Sequence, residues 1–338
     1  MTRPTQIQHL PADANTDELF KPRHSLIRVA VILPCYNEAV TIAQTVAGFR
    51  HALPDADVFV FDNNSKDDTR EVAAAAGAIV RREYQQGKGA VVRRMFADVD
   101  ADVYVLADGD ATYDPAAAPE MIRLLVEERL DMVVGARQSE EEAAYRHGHK
   151  LGNRLLTGLL ASMFNQSFSD ILSGYRVFSR RFVKSFPVLS AGFEIETEIC
   201  IHAIELMMPV AEVKTNYGSR PTGSTSKLST YRDGVRILLT MINLYRTERP
   251  VRFFGFFALL LMIFAIILAI PLVVTYLDTG LVPRFPTAIL VTGLVIISVL
   301  LAFAGVILDT VTRGRREMKR LFYLQLSSDP GHPASVRP

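Results

Sequence analysis

The stretch GKGAVVRRMFADVDADVYVLADGDATYDP, residues 87–115, decides the fold, because a helix pattern, an apolar strand pattern and a polar cluster follow one another in it. Two upstream stretches, VILPCYNEAVTI (31–42) and VFVFDNNSKDDT (58–69), repeat a short β-branched run that ends in polar residues. Strands that alternate with helices in this way predict a mostly parallel, doubly wound α/β sheet. Ligands of such sheets bind beyond the carboxyl ends of the strands, so we expect the polar clusters to share one edge.

This alternation fills one domain, which we place at residues 27–228. The preceding residues 1–26 are polar and contain proline, and we interpret them as a disordered tail without a cleaved signal peptide. The patterns predict strands at 28–33, 58–61, 78–82, 103–107 and 132–135, and helices at 68–76, 89–99, 115–128, 151–164 and 196–206, with one more beginning near residue 39.

Two uncharged apolar stretches, residues 253–276 and 286–308, follow the α/β domain. At about 1.5 Å per helical residue, each is long enough to cross a hydrocarbon core roughly 30 Å thick. We therefore predict a transmembrane hairpin at 251–310. Basic residues flank it on both sides, whereas the loop between the spans has only Asp278 and Arg284; the flanking residues are Arg246, Arg249, Arg252, Arg313, Arg315, Arg316, Lys319 and Arg320.

This distribution of charge predicts the topology. Because cytoplasmic flanks of membrane spans are rich in Lys and Arg, we expect both termini and the α/β domain in the cytoplasm of a multi-pass inner-membrane protein. Residues 311–338 would form a basic cytoplasmic tail. Residues 229–250 place Val235, Leu238 and Ile242 at helical spacing, which is typical either of an amphipathic helix at the interface or of an ordinary domain-packing helix.

Composition adds three expectations. The chain of 338 residues has room for one domain of ordinary size and the hairpin. Its two cysteines, Cys35 and Cys200, are too few for a disulfide framework. We expect the bilayer as a partner and no nucleic acid, and we leave a homo-oligomer open.

Asp108, Gly109 and Asp110 end the apolar strand of the 87–115 stretch. Two carboxylates one residue apart can share a hard cation that also bridges phosphate oxygens. The tripeptide alone is equally typical of a solvated turn. The surrounding sequence is needed to decide between the two.

Taken together, the three stretches resemble the family-two glycosyltransferases, which have the A-type fold. The resemblance implies a catalytic domain with a nucleotide-sugar donor and Mg²⁺ or Mn²⁺ as cofactor. Asp108 and Asp110 would hold the metal, with Thr112 as a candidate third ligand, although relatives usually have Gln there. Asn63 replaces a second acid that is common in the family, which leaves the base open. Donor-binding residues implied by the resemblance are Pro34, Tyr36, Asn37, Glu38, Asp62, Asp108 and Gly109.

Downstream motifs narrow the resemblance to polyprenyl-phosphate glycosyltransferases similar to dolichol-phosphate mannose synthase. They are GAR (135–137), SDILSGYRVFSRRF (169–182) and SRPTGSTSK (219–227). The resemblance implies that Arg137 and Arg220, with Ser226 and Lys227, bind the phosphate of undecaprenyl or dolichyl phosphate. The planar fork of arginine suits a phosphate. An acceptor phosphate is already anionic, so we expect catalysis to rest on Asp110, Arg137 and Arg220 without an obligatory base, and with inversion at the anomeric carbon.

Two further residues have open interpretations. Lys88, between two glycines at a helix start, either contacts the donor or is an ordinary surface lysine. Glu196, within FEIETE, either orients a sugar hydroxyl in the acceptor region or belongs to an exposed helix start. Two other interpretations of the whole chain remain. One is a processive polysaccharide synthase, a class that usually has a longer bundle of membrane helices and a QxxRW motif. The other is an inactive membrane scaffold.

Overall fold

The computed structural model describes residues 27–138, 169–188, 192, 194–218, 239, 242–243 and 245–326. Strands are β1 (Val29–Cys35), β2 (Asp57–Asp62), β3 (Ile79–Arg82), β4 (Val103–Leu106), β5 (Met132–Gln138), β6 (Arg176–Ser179) and β7 (Val210–Asn216). Helices are α1 (Ile42–Ala52), α2 (Thr69–Ala75), α3 (Lys88–Asp98), α4 (Ala118–Glu127), α5 (Arg180–Ser185), α6 (Ile195–Glu205), α7 (Pro250–Thr279) and α8 (Phe285–Leu324).

The strands form one mixed sheet in the order β3-β2-β1-β4-β6-β5-β7. All neighbouring pairs are parallel except the two that involve β6, which runs antiparallel to β4 and to β5. The prediction of a mostly parallel α/β sheet is thereby confirmed. Strands β6 and β7 were not predicted, because β6 has four residues and β7 is a partly exposed strand of mixed polarity.

Strand direction brings the polar clusters together. Because β2, β1 and β4 are adjacent and parallel, the residues that follow them lie side by side at the carboxyl edge of the sheet. β5 points the same way, since both it and β4 are antiparallel to β6, so Arg137 lies at that edge as well. Apolar residues of the strands and of α1, α3 and α6 fill the two faces of the sheet.

Helices α7 and α8 have 30 and 40 residues and are long and apolar enough to cross a membrane. They pack against each other where small residues permit close approach. Ser298 Oγ donates to the backbone oxygen of Ala258 at 2.7 Å. A Cβ atom at Gly305 would lie 3.2 Å from Cβ of Phe254. Most of the other apolar side chains on these helices are exposed, as expected for a surface that faces lipid.

The second helix does not end where the sequence predicts. Residues 311–324, which we assigned to a basic tail, instead continue α8 and dock on the α/β domain. Tyr323 Oη donates to Asp131 Oδ2 at 2.8 Å, and Lys319 Nζ lies 2.7 Å from Glu205 Oε2. The basic residues remain helical because they pair with acids of the domain. The predicted helix at 151–164 and most of the predicted juxtamembrane helix lie outside the described residues.

Candidate active site

The turn Asp108–Asp110 is held tightly between β1 and α1. The backbone oxygen of Gly109 accepts hydrogen bonds from Thr41 Oγ1 at 2.9 Å and from Thr45 Oγ1 at 3.3 Å. A Cβ atom at Gly109 would lie only 2.5 Å from Sγ of the buried Cys35. Glycine therefore allows the turn to approach β1, and this approach sets the position of both neighbouring carboxylates.

Asp110 is buried and its carboxylate is oriented by Thr112. Oδ1 of Asp110 accepts from the backbone nitrogen of Thr112 at 3.2 Å and from its hydroxyl at 2.5 Å. The intervening Ala111 has a φ of 56°, so the chain bends sharply between the two residues. The Thr112 hydroxyl thus orients the second acid, while its predicted role as a direct metal ligand stays a prediction.

Lys88 bridges two carboxylates at the site. Its Nζ lies 2.6 Å from Oδ1 of Asp108 and 2.6 Å from Oε1 of Glu196. Burial by itself would lower the pKa of Lys88, but the charges of Asp108 and Glu196 outweigh burial and raise it well above its ordinary value. Lys88 is therefore a permanent cation beside the first acid. The structure brings Lys88 and Glu196 together, a contact that no local sequence pattern predicts.

The residues that follow β1 are hydrogen-bonded to the residues that follow β2. The backbone nitrogen of Asn37 donates to Ser65 Oγ at 2.9 Å, and Asn37 Oδ1 accepts from the backbone nitrogen of Lys66 at 2.8 Å. Asp62 is fully buried and accepts from the backbone nitrogen of Ser65. Glu38 donates its backbone nitrogen to Thr69 Oγ1 at 2.9 Å. Pro34 and Tyr36 are half-buried in the same cluster. The predicted nucleoside-binding residues thus form one group, and their contact with a nucleoside stays a prediction.

Asn63 has a structural role that accounts for the missing second acid. Its Nδ2 donates to the backbone oxygens of Glu83 at 3.1 Å and Gln85 at 2.8 Å. Its Oδ1 accepts from the backbone nitrogen of Gly87 at 2.7 Å. An ionised carboxylate has no proton to donate to the two carbonyls. The amide therefore fixes the loop that leads directly to Lys88.

Arg137 forms a bidentate ion pair with Asp170. Its Nε and Nη2 lie 2.7 Å and 2.8 Å from the two carboxylate oxygens. Burial would raise the pKa of Asp170, but the guanidinium of Arg137 lowers it below its ordinary value. The guanidinium also lies over the ring of Tyr217, with 5.4 Å to the ring centre. Asp170 thus orients Arg137 at the carboxyl edge, a role that sequence reasoning missed.

The loop between Asp170 and β6 packs closely against Asp108. A Cβ atom at Gly174 would lie 2.6 Å from Oδ2 of Asp108. Arg176, which is fully buried, donates to the backbone oxygens of Ile171 at 2.6 Å and Ser173 at 2.9 Å. Gly174 and Arg176 belong to the motif SDILSGYR but were not predicted as site residues. Arg220, Ser226 and Lys227 lie outside the described residues.

The acids at this edge fit a divalent metal that is shared with a phosphate. Within the described part of the chain, no three His, Cys, Asp or Glu side chains come together as a cage. Mg²⁺ commonly uses only one or two carboxylates and takes its remaining ligands from water and substrate phosphates. Asp108 already faces a cation, the ammonium of Lys88. Asp108 and Asp110 thus fit a metal that is shared with a diphosphate, and their binding of a metal stays a prediction.

A mixed sheet with an acid pair beyond β4, and interlocked polar loops beyond β1 and β2, defines the A-type class of nucleotide-sugar transferase fold. The sequence pattern of Glycosyl transferase family 2 matches residues 30–186. Glycosyltransferase AglJ of Haloferax volcanii is 37% identical over 229 residues, which cover 67% of this chain and 75% of that protein. The chain therefore belongs to glycosyltransferase family 2, as the sequence predicts.

Two other comparisons agree with this assignment. The dolichol-phosphate mannosyltransferase of Pyrococcus furiosus is 27% identical over 211 residues, which cover 59% of each chain. The crystal structure of glucosyl-3-phosphoglycerate synthase from Mycobacterium tuberculosis in complex with Mg²⁺ and uridine-diphosphate superimposes with a TM-score of 0.54 and 23% identity. The superposition covers 64% of this chain and 79% of that one. At this level of identity the likeness concerns the fold.

Proposed function

We propose that this glycosyltransferase moves a sugar from a nucleotide-sugar donor to a polyprenyl phosphate at the cytoplasmic face of a membrane, with inversion at the anomeric carbon. One observation carries the proposal. An acid pair beyond β4 and an arginine oriented by Asp170 lie at one edge of the sheet, in a chain that continues into two helices long and apolar enough to cross a bilayer. A soluble acceptor would not require such an anchor.

On the donor side, Asp108 and Asp110 hold Mg²⁺ or Mn²⁺, with Thr112 orienting Asp110. When bound, the metal neutralises the diphosphate and thereby makes the nucleotide a better leaving group. Lys88 adds a fixed positive charge beside Asp108. Tyr36, which is half-buried after β1, and Asp62, which is buried at the end of β2, bind the nucleoside.

On the acceptor side, Arg137 presents its guanidinium to the lipid phosphate, while Asp170 keeps the side chain in one orientation. Arg220, Ser226 and Lys227 supply further contacts, because a second anion beside the donor diphosphate requires several cations. Glu196 accepts a hydrogen bond from a sugar hydroxyl. Since the phosphate is already ionised, it attacks the anomeric carbon without a general base, and the chain contributes position and charge.

Transfer from a panel of radiolabelled sugar nucleotides to undecaprenyl phosphate in detergent tests the proposed function. We expect a lipid-soluble sugar phosphate with one donor and only in the presence of Mg²⁺ or Mn²⁺. Undecaprenol, which lacks the phosphate, is the matched control and should remain unlabelled. Formation of a polymer, or transfer only to water-soluble acceptors, would refute the lipid-phosphate assignment.

We expect Arg220→Ala to weaken use of the lipid acceptor about tenfold to a hundredfold. The change removes a charge-assisted contact worth roughly 1.5–3 kcal/mol. The KM for polyprenyl phosphate should carry the loss, while nucleotide affinity measured without acceptor should change little. Arg123→Ala, which removes an exposed arginine that pairs on the surface with Glu120 and Glu127, is the control. Equal weakening of nucleotide binding would place Arg220 on the donor diphosphate.

The proposed topology has both termini in the cytoplasm. Basic residues flank the outer ends of the hairpin, and the turn between α7 and α8 carries almost no charge. Reporter fusions after the C-terminus and at Thr279 should therefore give opposite signals. A reporter that locates the C-terminus outside would contradict both the topology and access to cytoplasmic donors.

A further inference from the structure

Helix α6 connects two distant parts of the protein. It spans Ile195–Glu205, eleven residues or about 16 Å at 1.5 Å per residue. Nearly all of its residues are buried, and its apolar side chains belong to the core on one side of the sheet. A helix enclosed in this way moves as a unit, because core side chains are close-packed and have few alternative positions.

The N-terminal end of α6 reaches the candidate active site. There, Glu196 Oε1 lies 2.6 Å from Lys88 Nζ, and the same ammonium lies 2.6 Å from Asp108 Oδ1. The second oxygen of Glu196 has no hydrogen-bond partner within the described residues. The position of Glu196 therefore depends on the placement of α6 and on this one contact with Lys88.

The C-terminal end of α6 meets the extension of α8. Glu205, whose side chain is 1% exposed, lies 2.7 Å from Lys319 Nζ and 3.5 Å from Arg316 Nε. A buried carboxylate is strongly disfavoured unless a cation pairs with it. The two cations of α8 thus hold the end of α6 that lies opposite the site.

Other contacts dock α8 independently of α6. Tyr323 bonds to Asp131, and the guanidinium of Arg181 lies 4.9 Å above the Tyr323 ring. Arg316 also pairs with Glu248 at 3.0 Å, just before α7. Removal of Lys319 alone should therefore leave α8 docked, which makes the contribution of α6 experimentally separable.

We propose that α6 couples the membrane anchor to the donor side of the site: Lys319 and Arg316 hold α6 in the position from which Glu196 sets Lys88 against Asp108. Lys319, Arg316 and Glu205 are then positioning residues. Only the kinetic part of this inference rests on the proposed function. The geometry of Lys88 can be measured without any transfer reaction.

The experiment measures how readily an amine-reactive reagent labels Lys88 in the full-length protein in detergent, with mass spectrometry as the readout. In the wild-type protein, Lys88 is protected from the reagent because its side chain is only 11% exposed and lies between two carboxylates. Lys319→Glu, which repels Glu205, should raise labelling of Lys88 several-fold. The conservative change Lys319→Arg, which keeps a cation beside Glu205, should leave Lys88 protected. Arg320→Glu, on an exposed residue next along α8, should have no effect.

Kinetics provide the second readout. Lys319→Glu should raise the donor KM about tenfold while the acceptor KM changes little, because a small displacement at the site suffices for such a loss. Unchanged labelling and unchanged donor KM in folded Lys319→Glu would overturn the coupling. If that variant is too unstable to purify, Glu205→Gln removes the ion pairs with both cations without introducing repulsion, and unchanged protection of Lys88 there would equally overturn the coupling. If the wild-type protein transfers no sugar, the proposed function fails, but Lys88 labelling still decides the coupling.

Discussion

Replacing Asp110 with asparagine should reduce metal-dependent sugar transfer by about 10³-fold, equivalent to roughly 4 kcal/mol of transition-state stabilisation. The reason lies in the orientation of the side chain. An asparagine oxygen can still accept from Thr112, which now donates to Asp110 Oδ1 at 2.5 Å. The amide nitrogen would then occupy the place of the other carboxylate oxygen, where it cannot bind a cation. The variant should therefore remain folded but lose the metal.

Two measurements isolate this effect. Titration of Mn²⁺ in the presence of the nucleoside diphosphate should show lost binding, and thermal unfolding should be close to that of the wild type. Asp114→Asn is the control, because Asp114 lies on the same loop and caps a short helical turn, which asparagine also does well. Near-normal activity of Asp110→Asn with the metal chelated would show that Asp110 is not a metal ligand.

Gly109→Ala should reduce transfer by about a hundredfold without touching any charged group. The new Cβ atom would lie 2.5 Å from Cys35 Sγ and 3.4 Å from Ile42 Cδ1, so the turn must move away from β1. Overpacking of this kind costs roughly 1–3 kcal/mol in stability. Because both acids flank the glycine, a shift of about 1 Å misplaces them together and slows transfer by about 10²-fold.

A second substitution tests this steric explanation. Cys35→Ala removes the sulfur that the new Cβ would meet, so the double variant should regain at least about tenfold of the lost activity. Gly218→Ala is the matched control. Its Cβ would have no neighbour nearer than 3.9 Å, although Gly218 also packs beside Thr112. An equally inactive double variant would show that Gly109 is required for its backbone rather than for the space beside Cys35.

The sequence by itself determined the order of the main helices and strands and the position of the acid pair. Hydrophobic runs separated by helical patterns predicted strands β1 to β5 in the correct order, because each element has its own local periodicity. The position of Asp108 and Asp110 beyond β4 followed from the same pattern. The two long apolar helices were also predicted, since length and composition suffice to identify them.

Only the tertiary structure determined which residues of different elements contact one another. Lys88 and Glu196 belong to helices far apart in the chain, and nothing local in either segment indicates their contact. Arg137 pairs with Asp170 only because antiparallel β6 folds back between β4 and β5. Residues 311–324 have the composition of a tail, yet they continue α8 because the domain presents buried acids to their cations. Local periodicity encodes elements, whereas these contacts depend on long-range packing and charge pairing.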